Sequence, residues 1–227
     1  MPQKNTRAQD RAGSSRNSPA PEQHADERPG ITCLDLEGVL MPEVWIALAE
    51  QFGIPALRLT TRDISDYDEL MQHRLGELRK HRIGLSDIRR VIEGLRPLEG
   101  AADFLRQLRR ETQVLILSDT FLQFWEGMAG QLDYPTIFCN SLIVEDDRVV
   151  SYRMRIDDGK RRSVESLRSL GFRTTAVGDS FNDISMLRAA DRGILFRPSG
   201  TVVEAHGDLP VVMEYDELLT VVREPRD

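Results

Sequence analysis

The sequence predicts a doubly wound α/β fold built on a mostly parallel sheet. Short apolar runs of the kind that form buried strands alternate with helical patterns, and Val114-Leu115-Ile116-Leu117 is apolar at every position. Such a run fits a parallel strand that helices cover on both faces. The first two strands are also far apart along the chain, which predicts a small helical cap inserted after the first strand.

Six apolar runs are expected to form the strands of the sheet. They span residues 31–36, 114–117, 136–138, 174–177, 193–196 and 209–212. Residues 101–110 are expected to form a helix, because their apolar side chains recur at the spacing of one helix face. Residues 141–155 have the pattern of a β-hairpin that turns at Asp146 and Asp147.

The predicted cap occupies residues 42–96. Asp35 and Ser118 lie 83 positions apart, whereas a simple βαβ unit needs only about 30 residues. The first part of the insertion has apolar residues on one helix face, namely Trp45, Leu48, Ala49 and Phe52. The excess length therefore predicts a helical unit at the carboxyl end of the first strand, where sheets of this kind bind ligands.

A second and a third helix are expected later in the cap. Ser65 with Asp68 resembles a capping box, and the helix that follows would bury four apolar side chains: Leu70, Met71, Leu75 and Leu78. Gly84 is expected to end this helix, Ser86 to cap the next one, and Pro97 to end that helix. Met71 and Leu75 are interpreted as cap core.

Residues 1–29 are predicted to be a disordered extension. They hold almost no large apolar side chains and many Pro, Ser, Gln and Arg, so they cannot bury enough surface to offset the entropy lost on ordering. Folding is expected to begin near Gly30. The α/β core domain is then predicted to combine residues 30–41 with residues 97–227.

Composition narrows the class of protein. The net charge is −7 and the pI about 5.3, which argues against a partner that is nucleic acid or an anionic membrane surface. No apolar run approaches the roughly 20 residues of a membrane-spanning helix. Cys33 and Cys139 are interpreted as reduced, buried side chains. A cytoplasmic globular protein is the expectation.

Two polar motifs follow the first two predicted strands. Asp35 and Glu37 stand one residue apart before Gly38, and a turn there would direct both acids to one site, one as nucleophile and one handling protons. Alone, this pattern is also common on solvated surfaces. Ser118 ends the second strand before Asp119. Its hydroxyl could donate to an oxyanion or could cap the next helix.

Two further motifs add a cation and a metal site. Lys160 opens a predicted helix, although a lysine in that position is usually solvated. The more specific motif is Gly178-Asp179-Ser180-Phe181-Asn182-Asp183, directly after a predicted strand. A glycine turn with two acids suits Mg²⁺, which prefers oxygen ligands. Asp179 is expected to be a direct ligand, and Asp183 a weaker ligand or a group that supports the site from behind.

In this order, the four motifs resemble the haloacid-dehalogenase (HAD) superfamily of aspartyl-phosphate phosphotransferases, over nearly all of residues 31–220. Within it the chain looks most like the phosphoserine phosphatase family, and residues 34–43 are most similar to its ThrH-type branch. That branch is described as also passing phosphate to homoserine. The ordinary family motif has Asp two residues after the nucleophile, whereas this chain has Glu37, so the usual acid–base geometry cannot simply be carried over.

The resemblance implies a mechanism and a cofactor. Asp35 would attack phosphorus and become an aspartyl phosphate. Mg²⁺ would be held by Asp35, Asp179 and the backbone carbonyl of Glu37. Ser118, the backbone around Asp119, and Lys160 would balance the charge on the phosphoryl group. The side chain of Glu37 would protonate the leaving alkoxide and then activate water or an acceptor alcohol.

The same resemblance implies a small phosphorylated amino acid as substrate. Glu43 would pair with its ammonium group and Arg74 with its carboxylate, although Arg74 could instead be an exposed helix residue beside His73. Asn182 would touch phosphate or brace Asp179. The histidines show no ligand-like spacing, so no zinc site is predicted. The protein is expected to be a monomer or a homodimer.

Two alternatives remain open at this point. A HAD phosphatase for another small phosphorylated metabolite would keep the catalytic residues and change the cap contacts. A non-catalytic binding protein on the same fold is the other alternative, favoured by the N-terminal extension and by Glu37. Water and homoserine both remain possible acceptors of the phosphate, and only the resemblance points to homoserine.

Overall fold

The computed structural model describes residues 27–60, 63–64 and 66–224. Its centre is a seven-stranded sheet whose strands are β1 (Gly30–Leu34), β2 (Gln113–Phe121), β3 (Ile137–Glu145), β4 (Arg148–Arg153), β5 (Arg173–Gly178), β6 (Arg192–Phe196) and β7 (Val211–Val212). The spatial order is β4-β3-β2-β1-β5-β6-β7. All neighbouring pairs are parallel except β3 with β4.

Helices cover the sheet on both faces. They are α1 (Val44–Phe52), α2 (Tyr67–Lys80), α3 (Leu85–Gly94), α4 (Ala101–Leu108), α5 (Leu122–Met128), α6 (Gly159–Ser169), α7 (Ile184–Ala189), α8 (Gly200–Ala205) and α9 (Tyr215–Arg223). Two apolar clusters form the core. One contains Leu34 and Ile116 together with α1, α4, α5 and α9, and the other contains Cys33 and Leu117 together with α6 and α7. The alternation of β2 side chains between the clusters confirms the doubly wound sheet.

The helical cap predicted after the first strand is confirmed. Helices α1 to α3 and a 3-10 turn at Pro55–Arg58 lie between β1 and α4, and Met71 and Leu75 are buried there. The exact division of the chain at residues 42 and 96 stays a prediction. Residues 1–26, which include most of the predicted extension, lie outside the described residues, and β1 begins at Gly30 as expected.

The helix ends in the cap differ from the prediction. Ser65 lies outside the described residues, and α2 is capped by Asp66, whose carboxylate accepts the Glu69 N–H at 2.9 Å. Gly84 does not end α2, which stops at Lys80; it is the N-cap of α3. The prediction that Ser86 caps α3 is therefore wrong.

Several strand and helix ends also shift. β1 ends at Leu34: the Asp35 N–H still donates to Val177 O at 2.9 Å, but the Leu36 N–H turns onto the Asp35 carboxylate at 2.8 Å. β3 joins the run predicted at 136–138 to the first arm of the predicted hairpin, so one strand serves both. Helix α3 ends at Gly94, three residues before Pro97. Asp146 and Asp147 both have positive φ, which confirms the predicted hairpin turn.

Cys33 lies in β1 and Cys139 in β3. Cys33 is buried, Cys139 is partly buried, and both are free thiols. Burial raises the pKa of Cys33 to about 12 and that of Cys139 to about 11. Among the described residues, every helix is too short or too polar to cross a membrane.

Candidate active site

Strand order brings the four predicted motifs together. Asp35 directly follows β1, which lies between β2 and β5. Ser118 is in the last part of β2 and Asp179 directly follows β5. Because carboxyl ends of parallel strands meet at one edge, these side chains converge there, and Lys160 reaches them from the first turn of α6. Together they line one pocket of about 260 Å³, which the cap also lines.

Lys160 is the cation of this site. Its Nζ lies 2.7 Å from Asp183 Oδ1, 3.0 Å from Asp35 Oδ1 and 3.6 Å from Asp119 Oδ2. Burial alone disfavours the charge on Lys160, but Asp183 and Asp35 outweigh it and hold the pKa of Lys160 well above its usual value. The alternative of a solvated lysine is wrong, because the residue is only 5% exposed.

The buried nucleophile candidate Asp35 is held among other acids. Burial, and then the neighbouring Asp183 carboxylate, raise the pKa of Asp35 well above its usual value, while Lys160 acts in the opposite direction. A carboxylate in this setting needs positive charge beside it to stay ionised. Lys160 supplies part of that charge.

Two glycines allow the acidic loops to approach each other. Gly38 has φ 80°, and a Cβ there would come within 2.5 Å of the Asp179 carboxyl carbon. Gly178 is packed against Asp183 just as closely, because a Cβ on residue 178 would lie 2.3 Å from the Asp183 carboxyl carbon. Gly38 therefore lets the loop after β1 approach the loop after β5, and Gly178 lets the loop after β5 fold back on itself.

Asp183 holds the loop that carries Asp179. Its Oδ2 accepts the backbone N–H groups of Asp179 and Ser180 at 3.0 and 3.1 Å, while its Oδ1 faces Lys160. Both carboxylate oxygens thus already have protein donors. Of the two roles expected for Asp183, this geometry favours support of the site over direct ligation.

The acidic cluster fits a hard divalent cation. Asp35, Asp179 and Asp183 each offer an oxygen, and these atoms lie within 4.8 Å of one another. Asp179 Oδ1 is buried without a hydrogen-bond partner among the described residues. Burial, and then Asp183, raise the pKa of Asp179 to about 7. A buried carboxylate oxygen without a hydrogen-bond donor is suited to bind a cation directly.

Glu37 lies at the start of the cap. Its Oε2 accepts the backbone N–H of Val44, the first residue of α1, at 3.0 Å. Glu43, which precedes that helix, lines the same pocket and hydrogen-bonds to Glu37. Partial removal from water and the neighbouring Glu37 carboxyl raise the pKa of Glu43 to about 8. The two glutamates thus form an acid pair at the junction of core and cap.

Arg74 is buried, so the alternative of an exposed helix residue is wrong. Its guanidinium lies 4.6 Å over the Trp45 ring, and its Nη2 donates to Leu59 O at 2.9 Å. Arg74 Nε has no hydrogen-bond partner within the described ranges. Burial lowers the pKa of Arg74 from its usual value. A buried guanidinium with an unused donor suits an anionic ligand group.

The remaining predicted residues also line the pocket. Asn182 Nδ2 donates to Asp119 Oδ2 at 3.2 Å, so it braces Asp119. Ser118 does not cap the next helix, because the N-cap of α5 is Phe121 and no side chain caps that helix. Its Oγ instead accepts the Thr120 N–H at 3.2 Å.

Three cap residues line the pocket although their sequence pattern did not mark them as site residues. Tyr67 lines the pocket and donates from its hydroxyl to Asp119 O at 3.4 Å. Leu70 also lines it, as does Trp45 beneath Arg74. Tyr67, Leu70 and Arg74 recur at the spacing of one helix face, so the position of Arg74 in the sequence could have revealed the other two.

Comparison with known proteins agrees with this geometry. Residues 33–191 match the family model of haloacid dehalogenase-like hydrolases. A protein of Pseudomonas syringae pv. tomato named phosphoserine phosphatase is 52% identical over 189 residues, covering 83% of this chain and 80% of that protein. Phosphoserine phosphatase ThrH of Pseudomonas aeruginosa is 51% identical, covering 83% of this chain and 92% of that protein.

A solved structure described as a phospho-aspartyl intermediate analogue of phosphoserine phosphatase has the same fold. Its TM-score is 0.71 at 20% identity, covering 87% of this chain and 100% of that chain. The family model covers more than half of the chain, and both relatives are about half identical to it. This chain is therefore a member of the haloacid dehalogenase-like hydrolase family, in the group that includes these phosphoserine phosphatases.

Proposed function

We propose that this protein is a Mg²⁺-dependent phosphatase that hydrolyses O-phospho-L-serine. The observation that carries the proposal is one pocket that the core and the cap line with different groups. Asp35, Lys160 and Asp179 line it from the core, and Glu43 and Arg74 line it from the cap. The first set suits a phosphoryl group, and the second suits an ammonium and a carboxylate group. The names of the two curated relatives support the same substrate.

Asp35 is proposed as the nucleophile. One of its oxygens would bond to phosphorus while the bond from phosphorus to the serine oxygen breaks, which gives an aspartyl phosphate and free serine. Water would then attack phosphorus, release inorganic phosphate and restore Asp35. This division replaces one difficult displacement with two easier ones. Lys160 and the Ser118 hydroxyl would stabilise charge on the transferring group.

The charges of the pocket support a divalent cation. Five carboxyl groups line it, those of Asp35, Glu37, Glu43, Asp119 and Asp179, against the cations Lys160 and Arg74. A phosphate dianion entering this pocket would meet repulsion. Asp35, Asp179 and the Glu37 carbonyl are proposed to hold Mg²⁺. When bound, Mg²⁺ supplies the positive charge that draws in and polarises the phosphoryl group.

Glu37 is proposed as the general acid and base. The Val44 N–H donates to one of its oxygens and so limits where the longer glutamate side chain can lie. Glu37 would give a proton to the leaving serine oxygen and later take one from water. Glu43 lies beside Glu37 and its pKa is raised to about 8, first by burial and then by that neighbour; the substrate ammonium is proposed to lie against the Glu43 carboxylate.

The proposal is tested by phosphate release from O-phospho-L-serine with Mg²⁺ and then with EDTA. Release that requires Mg²⁺ and is lost in Asp35→Asn supports it. Release from other phosphate esters in preference to phosphoserine would contradict the substrate. Absence of release from every ester would contradict the enzymatic function.

Homoserine belongs in the same assay as an acceptor. Transfer to its hydroxyl follows from the resemblance to the ThrH-type branch, and hydrolysis is the activity that we propose first. Formation of phosphohomoserine would add transfer to the function, and its absence at every acceptor concentration would exclude it.

A further inference from the structure

The hairpin formed by β3 and β4 contacts the cap at two places. We call the contact at its turn the tip contact and the contact on β4 the Tyr152 contact. At the tip, Asp147 accepts three hydrogen bonds from the start of α3: its carboxylate accepts the Ser86 N–H at 2.8 Å and the Ser86 hydroxyl at 2.6 Å, and its carbonyl accepts the Leu85 N–H at 2.7 Å. The tip contact therefore caps α3 from outside the cap.

The Tyr152 contact lies at the start of α2. The Tyr152 hydroxyl donates to Asp68 Oδ1 at 2.6 Å. The Tyr152 ring meets the Tyr67 ring edge-on, with centroids 5.8 Å apart. The same ring also contacts Phe121, with centroids 6.2 Å apart. Tyr152 thus stands between the first turn of α2 and the end of β2.

This position links the core side and the cap side of the pocket. Phe121 follows the β2 residues Ser118 to Thr120, which line the core side. On the cap side, Tyr67 lines the pocket and reaches Asp119 O, and Arg74 lies two turns further along the same helix. A shift of the first turn of α2 away from the hairpin would therefore move Tyr67 and Arg74 together, away from the nucleophile.

We propose that Tyr152 is a positioning residue, which sets the affinity for the amino-acid part of the substrate by fixing α2 through Asp68 and Tyr67. The inference depends on the proposed function for its substrate. The Tyr152 contact is the one that bears on the pocket, because it joins Tyr67 and the helix that carries Arg74, whereas the tip contact is made to α3.

The kinetic test uses two variants that remove the same hydrogen bond from opposite sides. Tyr152→Phe keeps the ring contacts, and Asp68→Ala removes the acceptor. Each is expected to raise KM for phosphoserine about fivefold, the size of one net hydrogen bond, without a fall in kcat. The KM of the double variant should equal that of each single variant, because each single change already removes the same hydrogen bond. Asp68→Asn keeps an acceptor oxygen, so its KM for phosphoserine should be closer to that of the unaltered protein than the KM of Asp68→Ala is.

A second substrate distinguishes positioning from general weakening. p-Nitrophenyl phosphate has no amino-acid part, so its KM should change by less than about twofold in each variant. Tyr134→Phe is the matched control, because it removes a hydroxyl from a tyrosine that is 76% exposed and leaves the pocket unaltered. Equal changes in KM for both substrates, or an unchanged KM for phosphoserine, would overturn the proposal.

Amide hydrogen exchange tests the contact without any substrate. Tyr152→Phe should speed exchange in α2 and leave β5 unchanged, because only the helix loses an attachment. Unchanged exchange in α2 would overturn the proposal even if phosphoserine is a substrate. Faster exchange in α2, in a protein that does not hydrolyse phosphoserine, would instead contradict only the proposed function.

Discussion

Lys160 Nζ lies 3.0 Å from Asp35 Oδ1, and both side chains are buried at the carboxyl edge of the sheet. The same ammonium lies 2.7 Å from Asp183. Lys160 therefore joins the nucleophile candidate to the residue that holds the Asp179 loop. Loss of the Lys160 charge would therefore affect both carboxylates at once.

Lys160→Met should lower both activity and stability. It leaves Asp35 and Asp183 as buried carboxylates that have lost their nearest cation, which typically costs about 3 kcal/mol of unfolding free energy. Phosphate release should fall about 100-fold or more, since a charge-stabilising group is lost. Urea unfolding and kcat/KM measure these effects. Lys80→Met is the matched control, because Lys80 is an exposed lysine paired with Glu77. Equal stability of the two variants would contradict the account.

Asp179→Asn should abolish stabilisation by Mg²⁺. In the unaltered protein, Mg²⁺ should raise Tm, because a ligand that binds the folded state stabilises it. Without metal, Asp179→Asn should itself raise Tm, since it removes an acid whose pKa is raised to about 7 by burial and by Asp183. Thermal melts with Mg²⁺ and with EDTA measure both effects. Asp103→Asn, on the exposed side of α4, should keep the full Mg²⁺ response. A full response in Asp179→Asn would show that the metal lies elsewhere.

Glu43→Gln should change how stability depends on pH. Folding raises the pKa of Glu43 from the ordinary glutamate value of 4.5 to about 8. The folded state therefore holds an extra proton between these values, and stability falls as pH rises through that window. Glutamine removes this loss, so the Tm of the variant should exceed that of the metal-free protein by more at pH 8 than at pH 5.

A control of opposite sign accompanies this measurement. The hydrogen bond from Lys80 lowers the pKa of Glu77. Ionised Glu77 therefore stabilises the folded state at pH values above its unfolded pKa, and this stabilisation is lost as the pH falls through the folded pKa. Glu77→Gln should therefore not show the gain at pH 8. A Tm difference for Glu43→Gln that does not change between pH 5 and pH 8 would be inconsistent with a raised pKa.

Arg74→Lys should weaken binding of the substrate carboxylate. Lysine keeps the charge but loses the planar fork and the stacking on Trp45. KM for phosphoserine should rise about tenfold, the cost of about one charged hydrogen bond. KM for phosphoethanolamine, which lacks the carboxylate, should stay nearly constant. Arg79→Lys, on the exposed side of the same helix, is the control. Equal effects on both substrates would place Arg74 at another part of the ligand.

Local patterns were sufficient to predict the sheet and the core side of the site. Asp35, Ser118 and Asp179 each follow or end an apolar run, and parallel strand ends meet at one edge. The position of Lys160 needed the family resemblance in addition, because a lysine at a helix start is ordinarily solvated. The structure confirms that all four side chains line one pocket.

Contacts between distant segments could not be predicted in this way. The cap on α3 comes from Asp147, which lies 61 residues after Ser86, so the sequence around Ser86 carries no sign of it. Tyr152 and Asp68 are 84 residues apart. The raised pKa of Glu43 likewise depends on its burial and on its closeness to Glu37, both of which arise only on folding. Such effects depend on how the hairpin and the cap pack together.

The most direct measurement of the central claim is chemical trapping of a phosphoryl group on Asp35. The protein is mixed with phosphoserine and Mg²⁺, quenched with acid and reduced with borohydride, which converts an acyl phosphate to an alcohol. Mass spectrometry of the peptide spanning residues 31–36 should then find the alcohol at Asp35, and only when substrate is present. Phosphate release without any change at Asp35, or trapping at another carboxylate, would contradict the account.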